Sequence, residues 1–236
     1  MAKTPKPMPQ GQGARARTRQ RLLASAMTLV QRGRVPSVAE VAIHSGVGRA
    51  TAYRYFPSRS KLVSAIVGES LAPVRGYEPR ATDGRQRVRE LLIQTFPQFK
   101  EFEPHMRAAL QLSLEHESLE RAGMLEEEAY HRGFRRQLLR RAAAPLKAEL
   151  GTRRLDRLVK ALSLVYGIEP YVVLKDIWGA GNAEVEAIAR WMVDALLDAA
   201  LREARAARPA GNGAAPAIEA QPAAAPRPPQ NGRARP

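Results

Sequence analysis

The sequence predicts an all-α fold, and three observations support this prediction. Apolar residues recur three and four positions apart along most of the chain, which is the spacing of one face of a helix. No window shows sustained alternation of apolar and polar residues, the pattern of a half-buried strand. Proline and glycine fall mainly between the periodic segments, where they end helices. The chain has 236 residues and no cysteine, so a disulfide framework and thiolate chemistry are excluded.

The first helix is expected from about Arg15 to Gln31, and Gly33 ends it. One of its faces is apolar and consists of Leu22, Leu23, Ala26, Leu29 and Val30. Four arginines, among them Arg17, crowd its first turns, where the positive end of the helix dipole disfavours cations. Nearby phosphates would offset that cost. Residues 1–14 are rich in Pro, Gly and Gln and are expected to form a disordered basic arm.

Residues 37–62 predict two short helices joined by a tight turn. Ser37 and Glu40 have the S-x-x-E spacing of a capping box, in which each residue satisfies a free N–H of the other. Val38, Val41 and Ala42 follow at helical spacing. The run Ser45-Gly46-Val47 is expected to end this helix, because Gly accepts the left-handed conformation and Val47 can pack beneath the turn.

The second of these helices is expected from Arg49 to Phe56, where Pro57 stops it. Ala50, Tyr53 and Phe56 are expected to lie inside or half inside. A helix, a short turn containing Gly and a second helix form the helix-turn-helix unit, whose second helix enters the major groove of DNA. The pattern therefore indicates a DNA-binding unit.

This segment resembles the DNA-binding domain of the TetR family of bacterial transcriptional regulators. The resemblance begins around Arg17, covers roughly 50 residues and rests on four runs: Val41-Ala42, Ser45-Gly46-Val47, Tyr53-Arg54-Tyr55-Phe56 and Ser58-Arg59-Ser60-Lys61-Leu62. Gly48 departs from the family, which usually has a Ser or Thr cap there, at a cost of only a few tenths of a kcal/mol.

The resemblance implies two domains. An N-terminal three-helix helix-turn-helix DNA-binding domain would span residues 15–62, with a linking helix to about residue 72. A C-terminal helical ligand-binding and dimerisation domain would span residues 73–206. The Ala/Pro/Arg-rich residues 207–236 cannot bury enough apolar surface to order themselves and are expected to form a disordered tail.

The charge distribution points to a polyanionic partner. Residues 1–62 hold twelve lysines and arginines against one acid, so +11 of the net charge of +15 lies in this part. A basic run is in other proteins often a solvated tail, but here it coincides with the helix-turn-helix pattern. No apolar run approaches the ~20 residues that span a bilayer, and the N-terminus lacks the apolar region of a signal peptide. A soluble, cytoplasmic protein without a membrane partner is expected.

Ten residues are predicted to contact DNA. Arg49 and Arg54 can fork onto guanine or clamp a phosphate, and Ala50 is small enough to touch a thymine methyl group. The resemblance places Arg49, Ala50 and Thr51 toward the bases, and Ser37, Tyr53, Tyr55 and Lys61 toward phosphates. Tyr53 has an alternative role as a half-buried core residue, and Lys61 as a solvated surface lysine. The complete set is Arg17, Ser37, Gly48, Arg49, Ala50, Thr51, Tyr53, Arg54, Tyr55 and Lys61.

Beyond a linker at residues 73–84, helices separated by Pro and Gly are expected throughout. Their predicted ranges are 86–96, 104–114, 117–150, 152–178 and 182–206, and Gly123 and Pro145 are expected to interrupt the third of these. The last two carry apolar stripes that suit a homodimer interface, because one helix-turn-helix makes too few base contacts and a pair reads two half-sites of a palindromic operator. The alternative is that these stripes close the core of the single chain. The stripe residues are Leu158, Leu162, Val165, Ile168, Val172 and Val173, followed by Val185, Ile188, Ala189, Met192, Ala195, Leu196 and Ala199.

A small-molecule effector pocket is expected among the middle helices, as the resemblance implies. Aromatic residues and Met at helical spacing are also typical of plain core, so both interpretations stay open. Pro170 should kink or bulge its helix. Glu169 beside it is exposed, paired at an interface or turned into the pocket. The candidate lining residues are Phe96, Phe99, Phe102, Met106, Leu110, Leu114, Tyr166 and Glu169.

The sequence shows no catalytic, metal or cofactor motif. The four histidines have no partner at metal-ligand spacing, and Glu126-Glu127-Glu128 is typical of a solvated helix face. We therefore expect a homodimeric transcriptional regulator, most often a repressor in this family, that an unknown small-molecule effector modulates. The alternative is a ligand-independent DNA-binding or nucleoid-associated protein that uses the same N-terminal domain.

Overall fold

The computed structural model describes residues 10–207, with side chains from Gly13 onward. All regular secondary structure in that range is helical, which confirms the predicted all-α class. Within the same range, no helix combines the length and the apolar character that crossing a bilayer requires. The predicted disordered tail lies outside the described residues apart from Ala207, and so do residues 1–9 of the predicted arm.

The N-terminal part consists of four helices and one further helical turn. They are α1 (Gln10–Gln31), α2 (Val38–Ser45), α3 (Arg49–Tyr55), α4 (Arg59–Ser70) and α5 (Ala72–Arg75). α1 begins five residues earlier than predicted, so the assignment of residues 10–14 to a disordered arm was wrong. No proline occurs between residues 10 and 31 to stop the helix from extending there.

The C-terminal part contains the longer helices. They are α6 (Gly84–Glu101), α7 (Glu103–Arg121), α8 (Phe134–Ala143), α9 (Lys147–Val165), α10 (Glu169–Tyr171) and α11 (Asn182–Ala206). A 3-10 turn at Ala144–Leu146 joins α8 to α9, and a π-helical segment at Val172–Ile177 follows α10.

The predicted end of a helix before Pro97 was wrong, because α6 continues through Pro97 to Glu101. Phe96 and Phe99, on either side of this proline, are both buried, with ring centroids 5.9 Å apart. Burying two aromatic side chains contributes on the order of several kcal/mol and offsets the ~3 kcal/mol cost of an internal proline.

The helix predicted over residues 117–150 is interrupted at Gly123 and Pro145, as expected, but the assignment of helix between residues 122 and 133 was wrong. α7 ends at Arg121, and a loop without regular structure connects it to α8. Gly123 takes a φ of +67°, and the N–H of Met124 donates to the carbonyl of Leu119 at 2.8 Å, which closes a left-handed C-terminal cap. Glu126 to Glu128 therefore lie in this loop and not on a helix.

The predicted distortion at Pro170 is confirmed. α9 ends at Val165, residues 166–168 form a bend, and the short α10 with Pro170 in its first turn leads into the π-helical segment. Proline lacks the N–H that a continuous helix would need at this position. Prolines and π-turns are both recognised causes of kinks in helices.

The predicted linker over residues 73–84 is partly packed. Val74 and Tyr77 are buried at 2% and 3% exposure, and the Tyr77 hydroxyl donates to the carbonyl of Arg87 at 2.9 Å. Burial raises the pKa of this phenol to about 12. These contacts fix the path of the chain between the two parts.

Two large apolar clusters organise the molecule. The N-terminal cluster joins α1 to α4 and consists mainly of Leu22, Ala26, Val30, Val41, Ala52, Phe56, Leu62 and Ile66. The C-terminal cluster joins α6, α8, α9 and α11, and includes Leu91, Phe96, Leu139, Leu162, Tyr171 and Leu197. α7 contributes to both, since Ala108 belongs to the N-terminal cluster and Met106 to the C-terminal cluster. A third small cluster of Val63, Ala109, Leu112 and Tyr130 lies between them.

Candidate functional site

The capping box at the start of α2 is confirmed. The Ser37 hydroxyl accepts from the Glu40 N–H at 3.2 Å, and the Glu40 carboxylate accepts from the Ser37 N–H at 2.8 Å. Val38, Val41 and Ala42 are buried, as expected. Because both partners lie within one turn, this contact is fixed by local sequence.

The turn between α2 and α3 has the predicted geometry. Gly46 takes a φ of +66°, in the left-handed region, and its N–H donates to Ile43 at 3.2 Å. Val47 packs, half-buried, against the N-terminal cluster. α3 therefore begins at a fixed position relative to α2.

α3 is anchored by one face and exposes the other. Phe56 is buried as expected, but the partner four residues before it is Ala52, which the sequence interpretation did not identify. Ala50 is exposed, so its predicted placement inside or half inside was wrong, whereas Tyr53, at 45% exposure, lies about half inside. The register follows from the helix period, because residues 52 and 56 share the buried face, residue 53 lies at its edge and residue 50 lies outside it.

The ten residues predicted to contact DNA lie on the surface or at its edge. Arg17, Gly48, Arg49, Ala50, Tyr53, Arg54 and Lys61 are exposed, while Ser37, Thr51 and Tyr55 are half-buried. Within residues 13–207, the guanidinium groups of Arg17, Arg49 and Arg54 form no ion pair. The exposed side of α3 is thus a surface of uncompensated positive charge.

Lys61 differs from these arginines because it has an acidic partner. Its ammonium group lies 2.6 Å from the Glu128 carboxylate in the loop between α7 and α8, and both side chains are more than half exposed. The predicted solvated helix face of Glu126 to Glu128 is instead an acidic loop segment beside α4. Nothing in the linear pattern indicates this contact, since 67 positions separate the two residues.

Neighbouring contacts hold the same loop against the start of α4. Ser60 donates through its hydroxyl to the Glu128 carbonyl at 2.6 Å, and through its N–H to the Glu127 carboxylate at 3.3 Å. The other Glu127 oxygen lies 3.2 Å from Nε2 of the buried His116. The His116 Nδ1 accepts from the N–H of Tyr130 at 3.1 Å. One histidine of α7 therefore organises the loop that meets α4.

Two further contacts join α7 to the N-terminal helices. Arg59 and Glu115 form a bidentate pair at 2.7 and 2.8 Å, and hydrogen bonding from Arg59 lowers the pKa of the Glu115 carboxyl. His105, only 1% exposed, lies 2.9 Å from the Ser70 hydroxyl and 3.2 Å from the Met27 carbonyl oxygen. Burial lowers the pKa of His105, so the neutral imidazole is favoured.

The predicted pocket residues do not line one common cavity. Phe99, Met106 and Tyr166 line a cavity of about 180 Å³ between α4, α7 and α8. Leu110 and Leu114 line a separate groove of about 890 Å³ against the end of α1. Each step of four residues along a helix turns about 40° past a full revolution, so Leu114 has rotated away from Met106.

The other predicted pocket residues have different roles. Phe96 is packed in the C-terminal cluster, and Phe102 stacks on His105 at 5.5 Å between ring centroids. Tyr166 is 1% exposed, and its hydroxyl donates to Thr95 at 3.1 Å. Burial raises the pKa of the Tyr166 phenol.

The half-buried Glu169 carboxylate forms ion pairs with two arginines of the same chain. It contacts Arg132 at 2.9 Å and also pairs with Arg135, and it borders a polar pocket of about 420 Å³. Burial disfavours the ionised form, but the two guanidinium groups outweigh burial and hold the pKa of the carboxyl below its usual range. Of the three alternatives for this residue, placement at a pocket is observed, and its ion pairs are with arginines of the same chain.

The predicted dimer stripes are divided between core and surface. On α11, Val185 and Ala189 are buried together with Val193 and Leu197, whereas Met192, Ala195 and Ala199 are exposed and Ile188 and Leu196 are half-buried. α11 packs on α9 through its buried row, so the adjacent row stays outside. The exposed large apolar side chains nearby are Leu164, Val173, Ile177, Trp178, Trp191 and Met192.

Comparison with known proteins gives no assignment: no protein-family model matches this chain, and no curated protein matches it. The resemblance to the TetR family stays a prediction that rests on the motif residues. Among the residues that the structure describes, no three His, Asp or Glu side chains meet as metal ligands would.

The capping box generates a prediction on stability against pH. Hydrogen bonds from the Ser37 N–H and hydroxyl lower the pKa of the Glu40 carboxyl below its ordinary 4.5. A lowered folded-state pKa means that ionised Glu40 stabilises the fold above pH 4.5, and that this stabilisation is lost as the pH falls through the folded-state pKa. Glu40→Gln keeps the hydrogen-bond acceptor but loses the charge. It should lower the free energy of unfolding at pH 7 by about 0.3–1 kcal/mol, because the site is largely exposed.

Urea unfolding at pH 7 and at pH values below 4.5 measures this difference, which should shrink as the pH falls. Glu120→Gln is the matched control for the loss of one carboxylate, because Glu120 is exposed on α7 and has no ion pair among residues 13–207. A destabilisation that stays constant across the pH range would contradict the assignment.

Proposed function

We propose that this chain is a homodimeric, sequence-specific DNA-binding transcriptional regulator of the TetR type. In this proposal α2 and α3 form a helix-turn-helix, and α3 is the recognition helix. The observation that carries the proposal is the orientation of α3. Ala52 and Phe56 anchor it, and Arg49, Ala50 and Arg54 face solvent. Neither arginine has a carboxylate partner in the described part of the chain. A short exposed cationic helix held rigidly by its neighbour fits the major groove.

The dimensions and chemistry of α3 support this role. Its seven residues extend about 10 Å, comparable with the ~12 Å width of the major groove. Arg49 and Thr51, in its first turn, would meet base edges, and Ala50 would allow close approach. Gly48 caps the helix without a side-chain hydrogen bond, so it offers only a backbone N–H to a phosphate.

Phosphate contacts would come from residues around α3. Tyr53 and Tyr55 would donate hydroxyls, while Ser37 lies at the N-terminus of α2, where N–H groups favour an anion. Lys61 and Arg17 would add charge from α4 and α1. Contacts from four helices fix the orientation of α3 on the duplex and carry no sequence information themselves.

The dimer is proposed through the exposed apolar face of α9, the π-helical segment and α11. Leu164, Ile177, Trp178 and Trp191 are each at least 70% exposed. Large apolar side chains exposed to this degree favour a protein partner, and a second copy would pair two recognition helices with half-sites about 34–36 Å apart. A bound effector would shift the dimer between DNA-competent and incompetent states only through different affinities for the two. We further propose that the protein acts in the cytoplasm, as a repressor.

The test of DNA recognition separates base contacts from phosphate contacts. Arg49→Ala should relax the preference at one base position and cost about 1–3 kcal/mol on the preferred site. Lys61→Ala should weaken binding to all sequences. It should also reduce the slope of log affinity against log salt concentration by about one unit, the contribution of one phosphate contact. The measurement is the affinity of each variant for a duplex selected from a random pool and for random DNA. Both affinities are measured over a range of salt concentrations.

Equal effects of both substitutions on every sequence would contradict the proposed division of roles. Salt-dependent binding without any preferred sequence would favour the alternative, a ligand-independent or nucleoid-associated DNA-binding protein. Absence of binding to any duplex would refute both.

The ion pair between Lys61 and Glu128 predicts a gain of affinity. Glu128→Gln frees the lysine from its acidic partner, so binding to every sequence should strengthen by about two- to tenfold at low salt, with less gain at high salt. Glu126→Gln is the matched control, since it removes the same charge from the same loop outside this ion pair. Equal gains in both variants would indicate a general charge effect and contradict a specific role of the pair.

The dimer proposal predicts that Trp191→Glu produces a monomer. A carboxylate placed in an apolar interface would have to be desolvated, which costs several kcal/mol. Analytical ultracentrifugation should show a dimer for the wild-type protein and a monomer for this variant, with weakened binding to a two-half-site operator. Ile93→Glu on α6, an exposed apolar position outside this face, should stay dimeric. A monomeric wild-type protein would refute the proposed interface.

A further inference from the structure

The cavity between α4, α7 and α8 has an apolar interior. Its apolar lining includes Leu71, Phe99, Met106, Phe134, Tyr166 and Ile168. Its volume of about 180 Å³ is below the ~300–1,000 Å³ of sites for drug-sized ligands. A ligand with one ring or a short branched chain fits this space better than a larger one.

The charged side chains that line the cavity are all basic, and the Glu169 carboxylate outside this lining is paired with two of them. Three arginines, Arg75, Arg132 and Arg135, belong to its lining together with His131, and the lining contains no Asp or Glu. An apolar space with cationic groups and no carboxylate favours an occupant that is apolar at one end and anionic at the other.

The arginines differ in how far the protein already uses their donors. Arg135 pairs with Glu169 and donates to the carbonyls of Ser163 and Tyr166 at 2.8 and 3.1 Å, so it is fixed as part of the wall. Arg132 shares the same oxygen of Glu169 at 2.9 Å.

Arg75 has no carboxylate partner within residues 13–207, and its guanidinium lies over the Phe134 ring at 5.1 Å from the centroid. One carboxylate therefore serves two of the three arginines, and Arg75 and Arg132 keep donors for a ligand.

We infer that this cavity binds a small carboxylate with an apolar body, whose carboxylate is held by Arg75 and Arg132 and whose apolar part lies against Phe99 and Met106. This inference names the chemical class of the effector and rests on the proposed regulatory function. The carboxylate would complete the donors of two guanidinium groups that the chain leaves partly unused.

The position of the cavity gives the ligand a physical connection to the proposed DNA-binding surface. Tyr130 and Arg132 in its lining lie on the same loop as Glu127 and Glu128, which contact Ser60 and Lys61. A ligand drawn to Arg132 acts on that loop only a few residues from the ion pair of Lys61. Leu71 and Arg75 connect the same cavity to the end of α4.

The test uses the full chain without DNA and two matched probes, 3-phenylpropionate and its neutral isostere 3-phenylpropionamide. Isothermal titration calorimetry should show about tenfold tighter binding of the carboxylate, which corresponds to ~1.4 kcal/mol. Arg75→Gln and Arg132→Gln should each remove most of this preference, because each takes away a charged donor. Arg136→Gln is the matched control, since Arg136 neighbours Arg135 on α8 but does not line the cavity.

The site of binding has its own readout. In a methyl NMR spectrum the Met106 signal should shift on addition of the carboxylate, and the signal of Met192, exposed on α11, should not. Equal affinity for the two probes, no binding of either at millimolar concentration, equal losses in Arg136→Gln, or an unmoved Met106 signal would each overturn the inference.

A DNA-binding measurement on the same preparations separates the two proposals. If the protein binds the carboxylate but no DNA, the proposed cavity site stands and the proposed regulatory function is refuted. DNA binding by a protein that does not bind the carboxylate would overturn this inference alone.

Discussion

The packing of α7 between two apolar clusters is the constraint on which the rest of the structure depends. Ala108 belongs to the N-terminal cluster and Met106 to the C-terminal cluster, while Ala109 and Leu112 pack on Val63 of α4. Small side chains at positions 108 and 109 allow α7 to approach α1 and α4 closely, and a longer side chain there would force the clusters apart at a cost of about 1–3 kcal/mol. Polar contacts are built on the same helix, because the buried His105 and His116 each join it to α4. A change in the position of α7 would therefore reach both parts of the molecule.

Electrostatics divides the molecule along the same boundary. The N-terminal helices carry nearly all of the excess positive charge, and the carboxylates that approach them come from α7 and the following loop: Glu115 on Arg59, Glu127 on Ser60 and Glu128 on Lys61. The pair of Lys61 and Glu128 is more than half exposed on both sides, so its charges contribute at most ~1 kcal/mol to stability. Their effect on the proposed DNA affinity is of a different kind, since a lysine that is paired with a carboxylate attracts phosphate less strongly. Exposed pairs of low stability are also easily exchanged for contacts with a polyanion.

The sequence predicted what local rules determine. Ser37 and Glu40 lie in one turn, Gly46 needs a left-handed φ, and Pro170 lacks an N–H, so each prediction concerned a contact or conformation that neighbouring residues fix. Features that depend on distant partners were not predicted. α6 passes through Pro97 because tertiary burial of Phe96 and Phe99 outweighs the local cost, and Lys61 meets Glu128 across 67 positions of sequence.

The prediction of one common pocket was wrong for a related reason. Helical spacing identified the apolar positions, but the packing of α7 decides that Met106 faces one cavity and that Leu110 and Leu114 face another. The exposed side chains of α3 were predicted better than its buried ones. Exposure of Arg49 and Arg54 follows from charge alone, whereas the choice of Ala52 over Ala50 as the anchor depends on how α3 packs on its neighbours.

The distance between the cavity and α3 limits how a ligand could act. Coupling needs an element with two arrangements whose equilibrium both sites bias. The loop between α7 and α8 is suited to this, because it carries no regular structure of its own, and contacts from His116 to Glu127 and Tyr130 and from Glu169 to Arg132 hold its second half. A ligand that contributes ~1.4 kcal/mol more to one arrangement than to the other changes their ratio tenfold. The exchange of one guanidinium between Glu169 and a bound carboxylate is therefore large enough to shift the balance of the two arrangements. A large rearrangement of the buried clusters is not required.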